Sequence, residues 1–200
     1  MDLLVKLSVN LIVAVLVIWL HEIPKHYLTV FLTRPAFRKD VKIKGKWKNC
    51  IDPIGLITFV FLQVGWQMPL KVDATKLTNK KNGLIAISVT GLLINLLMAV
   101  LAIMVRKHSV LFYSLSLQNV YIDYFISAFA FFNMVIFTVN LLPVPPLDMT
   151  KIVYAFSSDL YFKIIQNGRI LQTVFVFFIA LGWLRALAGT LYKSLLYLSW

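Results

Sequence analysis

"LIAISVTGLLINLLMAVLAIMV", residues 84–105, runs for 22 residues without a charge. About 20 apolar residues suffice for a helix to cross the hydrocarbon core of a bilayer, so the stretch reads as a transmembrane helix. Gly91 and Asn95 stand four residues apart and fall on one face of it. A small residue beside a polar one at that spacing suits close packing against a second membrane helix.

The rest of the chain fits around that span. Of its 200 residues 60% are hydrophobic and the mean hydropathy is +0.82, well above the roughly 45–50% apolar content of soluble domains. Upstream, a helix is expected from Leu3 to about Phe31, kinked at Pro24, where the missing amide donor frees the Leu20 carbonyl. The N-terminal run resembles a signal peptide, but it is long and leads into His21 and Glu22 without a small-residue cleavage site, so a retained helix is expected. Downstream, residues 120–142 form another crossing, and an apolar segment from about Ile170 to Leu184 crosses or lies at the interface. Residues 51–66, "IDPIGLITFVFLQVGW", are too short to cross and read as re-entrant or interfacial. In "VKIKGKWKN", residues 41–49, four lysines alternate with other residues at period two, which predicts a short basic strand or hairpin. The expected fold is a single, all-α, polytopic membrane domain over residues 1–200, with about four spans, a re-entrant segment and that strand.

Charge sets orientation. The net charge is +12, and eleven of the twenty Lys and Arg lie between Arg34 and Lys81. Placing the re-entrant side in the cytoplasm puts those eleven with Lys151, Lys163 and Arg169, fourteen in all, against five (Lys6, Arg106, Lys107, Arg185 and Lys193) on the other side. The expectation is an integral protein of a prokaryotic plasma membrane with cytoplasmic basic loops that face anionic lipid. Because the basic cluster is sandwiched between apolar segments, nucleic acid is not an expected partner. The lone Cys50 excludes an intramolecular disulfide, and His108, beside Arg106 and Lys107, reads as an interfacial flank.

"LHEIPKHYLTVFL", residues 20–32, breaks the apolar pattern with His21, Glu22, Lys25 and His26. Each charge near a span centre costs roughly 2.5–3.5 kcal/mol on insertion scales, so the cluster requires partners or a function. A helical zinc site places His at i and i+4 with a Glu beside the first to activate water. His21 and Glu22 supply half of that. Position i+4 is Lys25, and His26 at i+5 lies roughly 140° around the helix. Only a bulge at Pro24 would bring His26 back to the site. Asp148, after Pro143, Pro145 and Pro146, is the one later carboxylate at a comparable apolar boundary.

Taken in order, His21–Glu22, the basic segment, "CIDPIG" (residues 50–55), Gly91 with Asn95, and "NLLPVPPLDM" (residues 140–149) resemble the compact site-2 proteases, intramembrane zinc metallopeptidases, over about residues 3–151. The resemblance implies His21 and Asp148 as zinc ligands, Glu22 as general base, and Asn95 as a contact to substrate or transition state. It also marks departures. Lys25 stands where the second zinc-binding His belongs, Cys50 replaces a His, Leu92 a proline, and Met149 and Thr150 the glycines after the ligand Asp.

Several outcomes are open at this point. With His26 as a rearranged third ligand, the chain is an active zinc endopeptidase cleaving transmembrane substrates, which the lysine-rich strand would hold by strand addition. With Lys25 as a charge substitute, the site is degenerate, needs no cofactor, and leaves a homologue that binds transmembrane or juxtamembrane segments. A small transporter or channel component is a third class, although the chain lacks the two related halves common among transporters.

Overall fold

The computed structural model describes residues 2–44, 47–69, 71–112 and 120–198. Among these residues it is all-helical, with three helices long and apolar enough to cross a membrane. These are α1 (Leu3–Leu32), α4 (Lys80–Phe112) and α5 (Val120–Asn140). Between the first two lie α2 (Arg38–Lys44) and α3 (Pro53–Leu62). After α5 come α6 (Asp148–Phe156), α7 (Ser158–Gln166), α8 (Gly168–Ala180) and α9 (Trp183–Leu198). The last two meet at 67° and count as a fourth span if taken together.

The expected strand is overturned. Val41–Lys44 belong to α2, Trp47–Cys50 form a 3-10 turn, and Gly45 and Lys46 lie outside the described residues. Among the described residues there is no strand for such a segment to pair with, and lysine is a good helix former. The alternation at period two was too short to decide the conformation. An antiparallel bridge, Thr33 to Leu77, ties the end of α1 to the loop before α4. The Arg34 amide donates to the Lys76 carbonyl at 3.0 Å and the Thr78 amide to the Leu32 carbonyl at 2.9 Å.

The short apolar segment forms a helix and a return. Asp52 caps α3, accepting from the amides of Ile54 and Gly55 at 2.9 and 3.1 Å, with Pro53 in the first turn. Gln63 ends the helix in the left-handed conformation (φ 59°). The chain then folds back until the Met68 amide donates to the Cys50 carbonyl at 2.9 Å. Two glycines permit this closeness. A Cβ on Gly55 would lie 2.2 Å from the Trp66 carbonyl oxygen, and one on Gly65 would lie 2.1 Å from the Gly55 carbonyl oxygen. The hairpin packs on α1 and α5: Asn10 Nδ2 donates to the Val60 carbonyl at 3.1 Å, and the Phe59 and Phe132 rings are 5.0 Å apart.

α1 runs unbroken through Pro24, with no bulge. Farther along it, the Thr29 and Thr33 hydroxyls donate to the carbonyls four residues back, at 2.7 Å each, so they present no unpaired polar group. The main buried cluster joins α1 (Val13, Val17, Ile18), α3 (Phe59), α5 (Phe132, Ile136), α8 (Phe175, Ile179) and α9 (Leu184, Ala188). The C-terminal segment thus packs into the same core as the spans.

Candidate functional site

His21, Glu22 and Lys25 on α1 meet Asn95 on α4 and Asp148 on α6, all five fully buried. Gly91 makes the approach possible: a Cβ there would lie 2.6 Å from both His21 Cε1 and Lys25 Cδ. Lys25 is the hub. Its Nζ donates to Glu22 Oε1 at 2.7 Å and to Asp148 Oδ1 and Oδ2 at 2.9 and 2.8 Å, and lies 3.1 Å from His21 Nε2. Lys151 adds a second ammonium, 2.8 Å from Asp148 Oδ1. Two carboxylates therefore face two ammonium groups around one imidazole, and the formal charge of this quartet closes to zero. That balance matters because an unpaired ion in apolar surroundings costs several kcal/mol or more.

The polar shell fixes the imidazole. Asn95 Nδ2 donates to Asn133 Oδ1 at 2.8 Å, and Asn133 Nδ2 donates to the Phe129 carbonyl at 2.8 Å. The Asn95 amide oxygen thus faces His21 Nδ1, which donates to it. His21 Nε2 is turned towards Lys25 and lies 2.9 Å from Asp148 Oδ2. Truncating Asn95 leaves His21 Nδ1 and Asn133 Oδ1 without partners. We expect Asn95→Ala to destabilise the protein by about 1–3 kcal/mol, read as a lowered unfolding midpoint; an unchanged midpoint would mean that the ring is held by other contacts.

Asp148 is placed by the proline-rich loop. Its amide lies 3.3 Å from Asn140 Oδ1, and Asn140 is paired with buried Gln67 on the return of the hairpin, at 2.9 and 3.2 Å. The Thr150 hydroxyl donates to the Val144 carbonyl at 3.1 Å and closes the loop. Gln67, Asn133, Asn140 and Lys151 are the members of this network that carried no site role in the sequence reading. The charge count places Lys151 with the loop cations, although it stands three residues after Asp148, the spacing that lets side chains meet on a helix.

Of the sequence candidates, His21, Glu22, Lys25, Asn95 and Asp148 converge. His26 does not. Its ring lies beside Tyr27, centroids 5.9 Å apart, and its Nδ1 is buried without a hydrogen-bond partner. The unbroken α1 lacks the bulge that a turn towards His21 requires.

The donor set does not fit zinc. The ion takes lone pairs at about 2.0–2.2 Å from imidazole and carboxylate. Here the group between His21 Nε2, Glu22 and Asp148 is an ammonium, which has no lone pair and repels a cation. Among the described residues no group of three or more His, Cys, Asp or Glu is arranged to hold a metal ion.

No protein-family model matches the chain, and no solved structure matches it. Over 136 residues it is 26% identical to the protein named "Putative zinc metalloprotease YwhC" of Bacillus subtilis (strain 168), a match covering 67% of this chain and 62% of that protein. The chain thus spans less than two thirds of that relative's length. The helices and this match together describe an all-α membrane protein distantly similar to a protein named as a zinc metalloprotease.

Proposed function

We propose that the chain is a site-2-protease-like membrane protein whose peptidase centre is degenerate, and that it binds transmembrane or juxtamembrane segments of other membrane proteins. One observation carries this reading: the Lys25 ammonium, 2.7–3.1 Å from Glu22, Asp148 and His21, takes the central place among the groups that would serve a metal. Glu22 Oε1 accepts from that ammonium, an ion pair that stabilises the carboxylate and lowers its tendency to take a proton from water. Beside the centre, a cleft of about 360 Å³ lined by Trp66, Met68, Val144, Pro145, Leu147 and Phe175 supports a role in seating an apolar segment. Lysine fills the cation's place, and the groove remains.

The name of the Bacillus relative supports a second reading, an active zinc endopeptidase. Metal analysis of the purified protein beside its Lys25→His variant separates the two. Little zinc in the parent and near one equivalent in the variant is the expected pair of results. Full and equal occupancy in both overturns degeneracy in favour of the peptidase.

A further inference from the structure

We propose that the face formed by the start of α4, the end of α6 and α7 is a docking surface for anionic phospholipid, with Lys80 and Lys81 as the headgroup-binding pair. The two lysines open α4 where that span begins, which places them at a membrane boundary. Their positions are electrostatically unusual. The first turn of a helix already carries a partial positive charge, so two cations there repel it and each other. Neither makes an ion pair with a carboxylate among the described residues.

Aromatic faces hold them instead. Lys80 Nζ lies 4.1 Å from the centroid of Tyr154, whose ring is stacked on Tyr161 at 4.4 Å, and Lys81 Nζ lies 4.8 Å from the centroid of Phe156. Such contacts orient an ammonium and offset part of its desolvation but leave its charge uncancelled. The complementary ligand is an anion.

The apolar side of the same surface decides which anion. On α7, Leu160, Phe162 and Ile165 are 55%, 60% and 45% exposed, and Phe156 just before it is 68% exposed. Tyr161 and Ile164 turn towards the protein. Exposed apolar side chains, a surface lysine (Lys163) and a short helix at a span boundary are the features of a helix lying in the bilayer interface. A phospholipid supplies both complements at once: acyl chains against Phe156 and α7, and a phosphate-bearing anionic headgroup at Lys80 and Lys81. A soluble anion would leave the apolar half uncovered.

The test uses the whole chain in nanodiscs of phosphatidylcholine with or without phosphatidylglycerol, followed by extraction and mass measurement of retained lipid. Phosphatidylglycerol is expected to be retained over phosphatidylcholine and to raise the unfolding midpoint. A juxtamembrane basic residue contributes on the order of 1 kcal/mol towards an anionic leaflet, so Lys80→Gln should cut retention about fivefold and the Lys80→Gln, Lys81→Gln double variant about twenty-five-fold. Lys193→Gln, in α9, serves as the control and should change nothing. Circular dichroism confirms that the variants fold, since both lysines are exposed. Equal retention of the two lipids, or undiminished retention in the double variant, overturns the assignment. So does a change in oligomeric state in place of lipid loss, which would give the face to a second copy of the chain.

Discussion

Lys25→Met is expected to be the most damaging single substitution in the protein, costing about 3–5 kcal/mol, because it removes the ammonium that bridges the buried carboxylates of Glu22 and Asp148. Methionine fills most of the lysine volume, so the loss is electrostatic and not a cavity. The companion triple variant, Lys25→Met with Glu22→Gln and Asp148→Asn, removes both carboxylates as well and should recover most of the stability. Lys151 then loses its partner, but it is partly exposed and can turn its ammonium outward. Unfolding midpoints in detergent, followed by tryptophan fluorescence, report both. A Lys25→Met midpoint equal to that of the parent would show that the ammonium is not the counter-ion of this centre.

Gly55→Ala is expected to have the second-largest effect. The added methyl group meets the Trp66 carbonyl oxygen at 2.2 Å and its carbon at 3.1 Å, both backbone atoms, so no change of rotamer relieves the clash. The return of the hairpin must move off α3, at a cost of about 1–3 kcal/mol or more. The displaced segment carries Gln67, which holds Asn140 and through it the Asp148 amide. Limited proteolysis should therefore cut within residues 63–69 faster than in the parent. Gly189→Ala is the matched control. The nearest atom to its Cβ is 4.0 Å away, and on α9 it should be neutral or slightly stabilising. Equal behaviour of the two variants would show that the hairpin does not depend on this contact.

The membrane class and the spans were legible because uncharged runs of about 20 residues have few other uses. A meeting of Lys25 with Glu22 or Asp148 was legible because buried charge must find buried charge, whereas a site role for Asn95 came only from the family resemblance. What could not be read had physical causes. The lysines of residues 41–49 alternate over too few residues to separate a strand from a helical turn, and the described residues offer that segment no pairing edge. Lys151 looked like a loop cation because its partner, Asp148, lies at the first turn of a helix that only the fold places against α1. Gln67 was hidden for a different reason: an uncharged amide in an apolar return gives no signal until Asn140 faces it.

The same pairing bears on how the protein is made. Glu22 and Lys25 stand three residues apart on α1, and Asp148 and Lys151 three apart on α6. Each helix thus carries its own internal salt bridge, and on α1, a candidate span, the pair lowers the penalty for partitioning into lipid. The four groups meet where α6 packs on α4, which also packs on α1. With Glu22 three residues away, Lys25 has a partner on α1 before Asp148 is synthesised.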